Sequence, residues 1–328
     1  MFQTILVPLD QSAFAEQAIA PAAVLARKLG AGMDVVLVHE QPAPALAQPR
    51  RAHCNDDQLQ EDERYLEHIA DRLGTHGISA CSHEVLRGEV VDAICAHAEA
   101  AGIGLIVMTS HGQTGFSRAH LGSVAYGLVR KSSLPVLVLR DAAIAKTPQR
   151  SGALFRKILV PLDGSEHSQA VLASATELAR RTDAEVLLLR VIEPVPLFAA
   201  SLDLPTSPLE LDRHPFLSGN IQDTEATAQL CTDAQAELTE IAARLADAQG
   251  RQVEVVVLVG RPVAAAIIDY ANAVGADLIA MSTHGRGASR WLLGSVADSV
   301  LRASNFPLLL SRPQSEEALR ARRTKRAS

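Results

Sequence analysis

The same sequence unit occurs twice in this chain. Residues 5–12 read ILVPLDQS and residues 158–165 read ILVPLDGS, so seven of the eight positions match. Further along, LGSVA occurs at 121–125 and again at 293–297. Because these elements recur in the same order, the 328 residues form a duplicated domain, with about 19 extra residues inside the second copy. Any fold assigned to the chain must therefore be built twice.

Each copy alternates short apolar runs with longer amphipathic segments. The run at 4–9 is rich in β-branched residues, which is typical of a strand buried on both faces. Ser12 is placed to cap a helix that ends at Gly30, and Pro21 inside that helix is expected to kink it. Strand, helix, strand at this spacing predicts right-handed crossovers and a parallel, doubly wound α/β sheet in each half.

The predicted elements follow the same order in both copies. The first copy is predicted to have strands at 4–9, 35–38, 82–86, 105–108 and 135–139, and helices at 12–29, 58–73, 91–100 and 124–131. The second copy is predicted to have strands at 158–162, 186–191, 253–259, 278–281 and 307–310, and helices starting at 165 and at 227–248, 263–272 and 296–303.

The repeat also sets the domain boundaries. We expect a first domain at 1–142, a linker at 143–155, a second domain at 156–313 and a basic, disordered tail at 314–328. The extra residues of the second copy fall at about 193–223, between its second strand and the following helix. A loop of this length either docks on the body or a partner, which its leucines and phenylalanines favour, or is disordered.

Composition excludes several classes of protein. The formal charge of −6 and an aromatic content of 3% argue against a nucleic-acid partner or an anionic membrane surface. Every apolar run is too short for a membrane span, and the N-terminal segment lacks the pattern of a signal peptide. The four cysteines are far apart, which indicates reduced thiols rather than a disulfide framework or a zinc site. We therefore expect a cytoplasmic protein.

Polar residues and glycines recur where the predicted strands end. They are Asp10 and Asp163 after strand one, Gly112 and Gly285 after strand four, and Gly122-Ser123 and Gly294-Ser295 at the start of a helix. In an open parallel sheet, ligands bind beyond the carboxyl ends of the strands, and a helix N-terminus favours phosphate. The sequence thus predicts a nucleotide site in each half. The alternative is that Asp-x-Ser only caps a helix and that the glycines only turn the chain.

Two histidines occupy equivalent places beside the glycines. His111 and His284 each precede the glycine that follows strand four. A neutral imidazole there can hydrogen-bond a phosphate, and a protonated one adds positive charge; the alternative is a loop histidine that faces water.

VPLDQS and VPLDGS, together with MTSHGQTGFSRAHLGSVA and MSTHGRGASRWLLGSVA, resemble the universal stress proteins in their tandem form. The resemblance covers both halves almost completely. It implies two Rossmann-like domains of the adenine nucleotide alpha hydrolase-like type, each a five-stranded parallel sheet in the order 3-2-1-4-5, with helices on both faces. It also implies that fifth strands pair, so that 136–139 meets 308–310 in an intramolecular pseudo-dimer. Formation of a homodimer is a further expectation.

The resemblance also implies a set of nucleotide-binding residues in each half. In domain 1 they are Pro8, Asp10, Met108, Thr109, His111, Gly112, Gly122, Ser123 and Val124. In domain 2 they are Pro161, Asp163, Val191, Met281, Ser282, His284, Gly285, Gly294, Ser295 and Val296. The prolines and aspartates are expected near adenine and ribose, and the residues after strand four near the phosphates.

The chain departs from the family in three ways. Two of the departures concern the family pattern G-x2-G-x9-G-[S/T] after strand four, and the third concerns the residue beside adenine. The first glycine of the pattern is Thr109 in one copy and Ser282 in the other. Nine residues separate the next two glycines in the first copy, but only eight do in the second, and one residue can shift a backbone by about 3.5 Å. The apolar residue expected beside adenine corresponds to Glu40 in the first copy and Val191 in the second. These differences favour the first copy at the phosphate end and the second at the base end.

The expected function is that of a regulator rather than a metabolic enzyme. By resemblance, the chain binds ATP or a related adenine nucleotide, with or without Mg²⁺, and acts on an unidentified regulatory protein partner. Neither half contains a P-loop, and no Ser-His-Asp or Cys-His nucleophile emerges from the spacing. Two alternatives remain: a nucleotide-free scaffold with degenerate sites, and slow ATP hydrolysis or adenylyl transfer.

Overall fold

The strands of both halves form one continuous ten-stranded sheet. The order in a computed structural model is β3-β2-β1-β4-β5-β10-β9-β6-β7-β8. The structure describes residues 2–39, 49–75, 78, 80–110, 122–140, 154–194, 225–285 and 293–313. Every pair of neighbouring strands is parallel except β5 and β10, which join the halves in antiparallel fashion. The predicted fold class and the order 3-2-1-4-5 in each half are confirmed.

The two halves share their element order. The first half contains β1 (Thr4–Leu9), α1 (Ala13–Glu16), α2 (Ile19–Leu29), β2 (Gly32–His39), α3 (Pro49–Thr75), β3 (Cys81–Arg87), α4 (Val90–Ala100), β4 (Leu105–Thr109), α5 (Ser123–Lys131) and β5 (Val136–Leu139). The second contains β6 (Lys157–Pro161), a 3₁₀ helix (Ser168–Val171), α6 (Leu172–Thr182), β7 (Glu185–Ile192), α7 (Glu225–Gln249), β8 (Glu254–Val259), α8 (Val263–Ala273), β9 (Leu278–Ser282), α9 (Ser295–Ala303) and β10 (Leu308–Ser311).

The first helix of each half is less regular than predicted. Ser12 caps α1 as expected, since its Oγ accepts from the Ala15 amide at 3.1 Å, and α2 ends at Gly30 with φ of 64°. The helix breaks between α1 and α2 instead of kinking at Pro21. That proline lies in the first turn of α2, where an amide has no intrahelical acceptor, so it is tolerated there. In the second half, a 3₁₀ helix with His167 at its N-cap stands in place of the predicted α-helix start, and Ser165 Oγ accepts from the Ser168 amide at 3.1 Å.

Two apolar layers cover the two faces of the sheet, and each runs through both halves. One layer packs α1, α2, α3, α6 and α7 on the sheet, and the other packs α4, α5, α8 and α9. Most residues of β1, β4, β6 and β9 are almost fully buried, because both faces of these strands are covered. Phe155, at the end of the predicted linker, is 2% exposed and belongs to the first layer.

The halves meet at their fifth strands, as the resemblance implies. Leu308, Leu309 and Leu310 pair with Val138, Leu137 and Val136. Around this pairing the contacts are reciprocal. Arg140, after β5, donates to the Leu301 carbonyl in the last turn of α9, and Arg312, after β10, donates to the Arg130 and Lys131 carbonyls at the end of α5. A cation at a helix C-terminus is electrostatically favourable, so these arginines tie each half to the other.

Other expectations can be placed only in part. Cys81, Cys95 and Cys231 are free, and burial raises the pKa of the Cys95 thiol to about 11. Within the described residues, no helix combines the length and the apolar character that a membrane crossing requires. Most of the predicted linker, the insertion from 195 onward and the tail lie outside the described residues.

Candidate functional site

The aspartate after strand one makes the same turn in both halves. Asp10 Oδ1 accepts from the Ser12 amide at 3.0 Å and from its Oγ at 2.6 Å. Asp163 Oδ1 accepts from the Ser165 amide at 2.9 Å and from its Oγ at 2.6 Å. One carboxylate oxygen therefore fixes the turn at the carboxyl end of β1 or β6 and leaves the other oxygen to point elsewhere.

The middle residue of this turn has a left-handed backbone conformation in both halves. It is Gln11 in the first half, with φ of 63°, and Gly164 in the second, with φ of 88°. The Gln11 side chain donates from Nε2 to Asp62 Oδ1 at 2.6 Å, whereas Gly164 leaves room for the Arg190 guanidinium. The turn is thus equivalent, but the groups beneath it differ between the halves.

The helix after strand four begins identically in both halves. The Gly122 amide donates to the Ser110 carbonyl at 2.7 Å, and the Gly294 amide donates to the Thr283 carbonyl at 2.8 Å. Gly122 has φ and ψ of −59° and 149°, and Gly294 has −59° and 144°. The expected disturbance from the one-residue deletion is therefore absent at the start of α9. Neither N-cap supplies a side-chain acceptor, so the first-turn amides are available to an anion.

In the second half, strands β6 and β9 bring Asp163 against Gly285. A Cβ built on Gly285 would lie 2.1 Å from Asp163 Oδ2 and 3.1 Å from its Cγ. Asp163 could yield only by giving up its bonds to Ser165. The glycine is thus required by the close approach of the carboxylate, which places the ends of strand one and strand four in direct contact.

His284 stands beside this contact and retains a polar atom without a partner. Its Nδ1 lies 2.8 Å from Thr283 Oγ1, whereas its Nε2 is buried and makes no hydrogen bond within the described residues. Burial lowers the pKa of His284, and the positive charges of Arg312 and His167 lower it further. The neutral imidazole is therefore favoured at pH 7, and its Nε2 is suited to a ligand that approaches the mouth of the site.

The strand registers correct one sequence expectation. Pro8 pairs with Val36, and Pro161 pairs with Leu189. The position expected beside adenine lies two residues further along strand two, so it is Val38 in β2 and Val191 in β7. The assignment of Glu40 as the equivalent of Val191 is therefore wrong by two residues. Glu40 lies outside the described residues and corresponds in sequence to Glu193, so the expected difference at the base end disappears.

The remaining predicted residues are found at the carboxyl edge of the sheet or in the core beneath it, except for two that lie outside the described residues. Thr109 and Ser282 end β4 and β9 and are 6% exposed each, and Ser123 and Ser295 open α5 and α9. Some predicted residues pack into the core with their side chains buried or half-buried, namely Met108, Met281, Val124 and Val296. Pro8 and Pro161 are half-buried in β1 and β6. His111 and Gly112 lie outside the described residues.

Sequence reasoning missed the groups at the end of strand two. In the first half, His39 Nδ1 donates to Asp62 Oδ2 at 2.9 Å, and both side chains are less than 10% exposed. In the second, Arg190 Nη2 donates to Glu237 Oε2 at 3.1 Å. The available signal was a polar residue inside an otherwise apolar strand, as in EVLLLRVI.

The family model that matches this chain describes the universal stress protein family and covers residues 1–140 and 154–312. A universal stress protein of Mycobacterium tuberculosis H37Rv is 31% identical over 214 residues, which are 63% of this chain and 61% of that protein. The match thus spans less than two thirds of the relative's length.

Solved structures of universal stress proteins are similar to this chain to different extents, and the first of the two below agrees with it in fold. The crystal structure of a universal stress protein from Archaeoglobus fulgidus DSM 4304 matches 94% of this chain and 98% of its own, with a TM-score of 0.66 and 22% identity. A universal stress protein determined in complex with cAMP covers 42% of this chain and 97% of its own, at 21% identity and a TM-score of 0.34. Two family segments that fill nearly the whole chain, on one shared sheet, lead to one conclusion: the chain belongs to the universal stress protein family.

Proposed function

We propose that this protein binds ATP or a related adenine nucleotide at the carboxyl edge of its sheet and acts as a stress-responsive regulator. The observation that carries the proposal is the contact between Asp163 and Gly285 beside the uncapped N-terminus of α9. A glycine that cannot readily accept a side chain, uncapped helix amides and the unbonded Nε2 of His284 together form a cradle for phosphate. The first half repeats the turn and the open helix at Asp10 and Gly122.

The residues of the site fit a nucleotide better than they fit a free metal ion. Amides, hydroxyls and an imidazole face the space after strand four, and these groups donate to or share protons with phosphate oxygens. Within the described part of the chain, no group of three histidine, cysteine, aspartate or glutamate side chains is arranged to hold a metal ion. Any Mg²⁺ at this site would therefore arrive with the nucleotide and be held mainly by its phosphates.

The arrangement supports binding more than turnover. Asp10 and Asp163 each commit one oxygen to the turn that follows them, so neither is positioned as a free base. His284 is neutral in its favoured state and contacts Thr283 rather than a carboxylate that would orient it. The proposed output is therefore a change of partner contacts in response to bound nucleotide, in a cytoplasmic protein that forms further dimers through surfaces other than β5 and β10.

The test is to recover the ligand and then to measure its binding. Purified full-length protein is denatured, and released small molecules are identified by mass; calorimetric titration with ATP, ADP and AMP follows. An adenine nucleotide in the released fraction, or saturable binding of an added one, is the expected result. A protein that releases nothing and binds none of the three contradicts the proposal and favours the scaffold alternative.

Hydrolysis or adenylyl transfer is separated from binding by a product assay. If the protein is an enzyme, product formation from ATP must fall on substitution of Ser123 or Ser295, which open the phosphate-binding helices. Activity that is unaffected by Ser123→Ala and Ser295→Ala together would come from a contaminant, and the regulatory proposal would stand.

A further inference from the structure

A buried guanidinium lies beneath the nucleotide-site turn of the second half. Arg190, in β7, is 4% exposed. Its Nη1 and Nη2 lie 2.6 and 3.1 Å from the position that a Cβ on Gly164 would occupy. The absence of a side chain at Gly164 is therefore what lets this cation approach the Asp163-Gly164-Ser165 turn.

The guanidinium is short of acceptors. It carries five N–H donors, yet within the described residues its one acceptor is Glu237 Oε2, at 3.1 Å from Nη2. Its Nε is buried and has no hydrogen-bond partner there. Buried arginines that serve only the fold normally satisfy their donors with backbone carbonyls or carboxylates. Beyond Glu237, the described residues offer Arg190 no such acceptor, which points to one that arrives with a ligand.

The first half lacks this feature entirely. By strand register, the residue equivalent to Arg190 is Leu37, which is 5% exposed and belongs to the apolar core. Beneath the first-half turn, Asp62 accepts from Gln11 and His39 instead. The group nearest the turn is the Arg190 guanidinium, paired with Glu237, in the second half, and the Asp62 carboxylate, which accepts from His39 and Gln11, in the first.

The sheet order gives the position of this cation relative to the phosphate end. β6 carries Asp163 and lies between β9, which leads to the α9 N-terminus, and β7, which carries Arg190. Strands are spaced by about 4.8 Å, so the ends of β9 and β7 are roughly 10 Å apart. Arg190 is thus at the end of the site opposite the amides that favour a phosphate.

We propose that the second-half site takes a nucleotide with two separated anionic groups: a 5′-phosphate at the α9 N-terminus and a second phosphate on the ribose, received by Arg190. Phosphate is the natural partner of a guanidinium with unused donors. The inference rests on the proposed function, since it specifies the ligand of the same site. The first half, with Leu37 and Asp62, favours a nucleotide without the ribose phosphate.

The experiment compares AMP with adenosine 2′,5′-bisphosphate and 3′,5′-bisphosphate by calorimetric titration of the full chain. One of the bisphosphates is expected to bind the second half about tenfold more tightly than AMP. Arg190→Leu, which installs the residue of the first half, should remove that preference, so that AMP and the bisphosphates bind alike. Arg190→Lys, which keeps the charge and loses the planar fork, should retain part of it.

Glu237→Gln supplies a second variant, which keeps Arg190 and an amide oxygen beside it but removes the negative charge of its partner. It removes the carboxylate that competes for Arg190, so bisphosphate binding should tighten while AMP binding stays the same. If wild type binds AMP and both bisphosphates equally, or if Arg190→Leu weakens all three in parallel, the inference is overturned although the proposed function stands. If none of the three binds, the proposed function itself fails.

Discussion

The two halves of this protein share a backbone and differ in the charges beneath it. Both place an aspartate after strand one, bonded to the serine two residues later, and both open the phosphate-side helix with glycine. Below the turn, the first half has Asp62 with Gln11 and His39, and the second has Arg190 with Glu237. The two halves thus keep the same geometry at the proposed site and differ in the polar groups beneath it.

The middle residue of the turn explains how each half accommodates its own polar cluster. Gln11 occupies a left-handed conformation that costs a non-glycine residue roughly 1–2 kcal/mol, and its amide recovers part of that by donating to Asp62. Gly164 adopts the same region without that cost and gives its side-chain space to Arg190. A side chain at this position would therefore displace the end of the Arg190 side chain from its present place.

Among the substitutions that test this comparison, the largest expected effect is a loss of stability in the first-half cluster of Asp62, His39 and Gln11. Asp62→Ala removes the buried carboxylate that accepts from both His39 and Gln11, and should lower the free energy of unfolding by about 3 kcal/mol. Urea titration followed by circular dichroism measures it. Asp71→Ala, an exposed position on the same helix, is the matched control and should change stability by less than about 0.5 kcal/mol. Equal effects of the two would mean that the cluster does not stabilise the first half.

The next effect concerns ligand binding in the second half. Gly285→Ala places a methyl group where Asp163 Oδ2 now lies, so the carboxylate must leave its turn and nucleotide binding there should weaken by at least about tenfold. Gly294→Ala is the matched control, because its Cβ would lie 3.4 Å from the Thr283 carbonyl, an ordinary contact. Titration calorimetry on both variants should give the greater loss for Gly285→Ala; the reverse order would show that the Asp163 contact is not part of the site.

A smaller effect comes from exchanging the turn residues themselves. Gly164→Ala should destabilise the protein by about 1–2 kcal/mol, from the left-handed backbone and from contact with Arg190. In an Arg190→Leu background the steric part should vanish and the backbone part remain. Gln11→Gly should be nearly neutral, because relief of backbone strain offsets the lost bond to Asp62. Thermal unfolding of the four variants checks the pattern, and a neutral Gly164→Ala would contradict it.

The architecture could be predicted from the sequence because each pattern that indicates a strand or a helix occurs in both copies. Apolar strands, the Ser12 cap and the pairing of β5 with β10 all follow from local patterns that recur. The break after α1 was not predicted, since helix formers on both sides of Gln17 hide it. The register of strand two was placed wrongly in the first half, because an apolar run carries no mark of where its pairing ends.

The site was predictable where glycine or aspartate recurs and not where the halves diverge. Asp163, Gly285 and Gly294 were recognised because the first half repeats them. Arg190 and Glu237 are 47 residues apart, and Asp62 and His39 are 23 apart, so only the fold brings each pair together. In our proposal these divergent groups give the two sites different ligands, and comparison of the two copies in sequence alone assigns them no role.

The smallest effect is a pH dependence confined to the second half. The pKa of His284 is lowered by burial and by Arg312 and His167, so the unfolded chain binds a proton before the folded one as pH falls below the ordinary histidine range. Folded-state stability from this group is therefore present at pH 7 and declines below about pH 6.5. A bound phosphate raises the pKa of His284, because its negative charge favours the imidazolium beside it. Nucleotide binding should accordingly be accompanied by proton uptake near pH 6, which titration in buffers of different ionisation enthalpy measures. His284→Asn should abolish that uptake while leaving the fold intact; uptake that persists in the variant would assign the proton to another group.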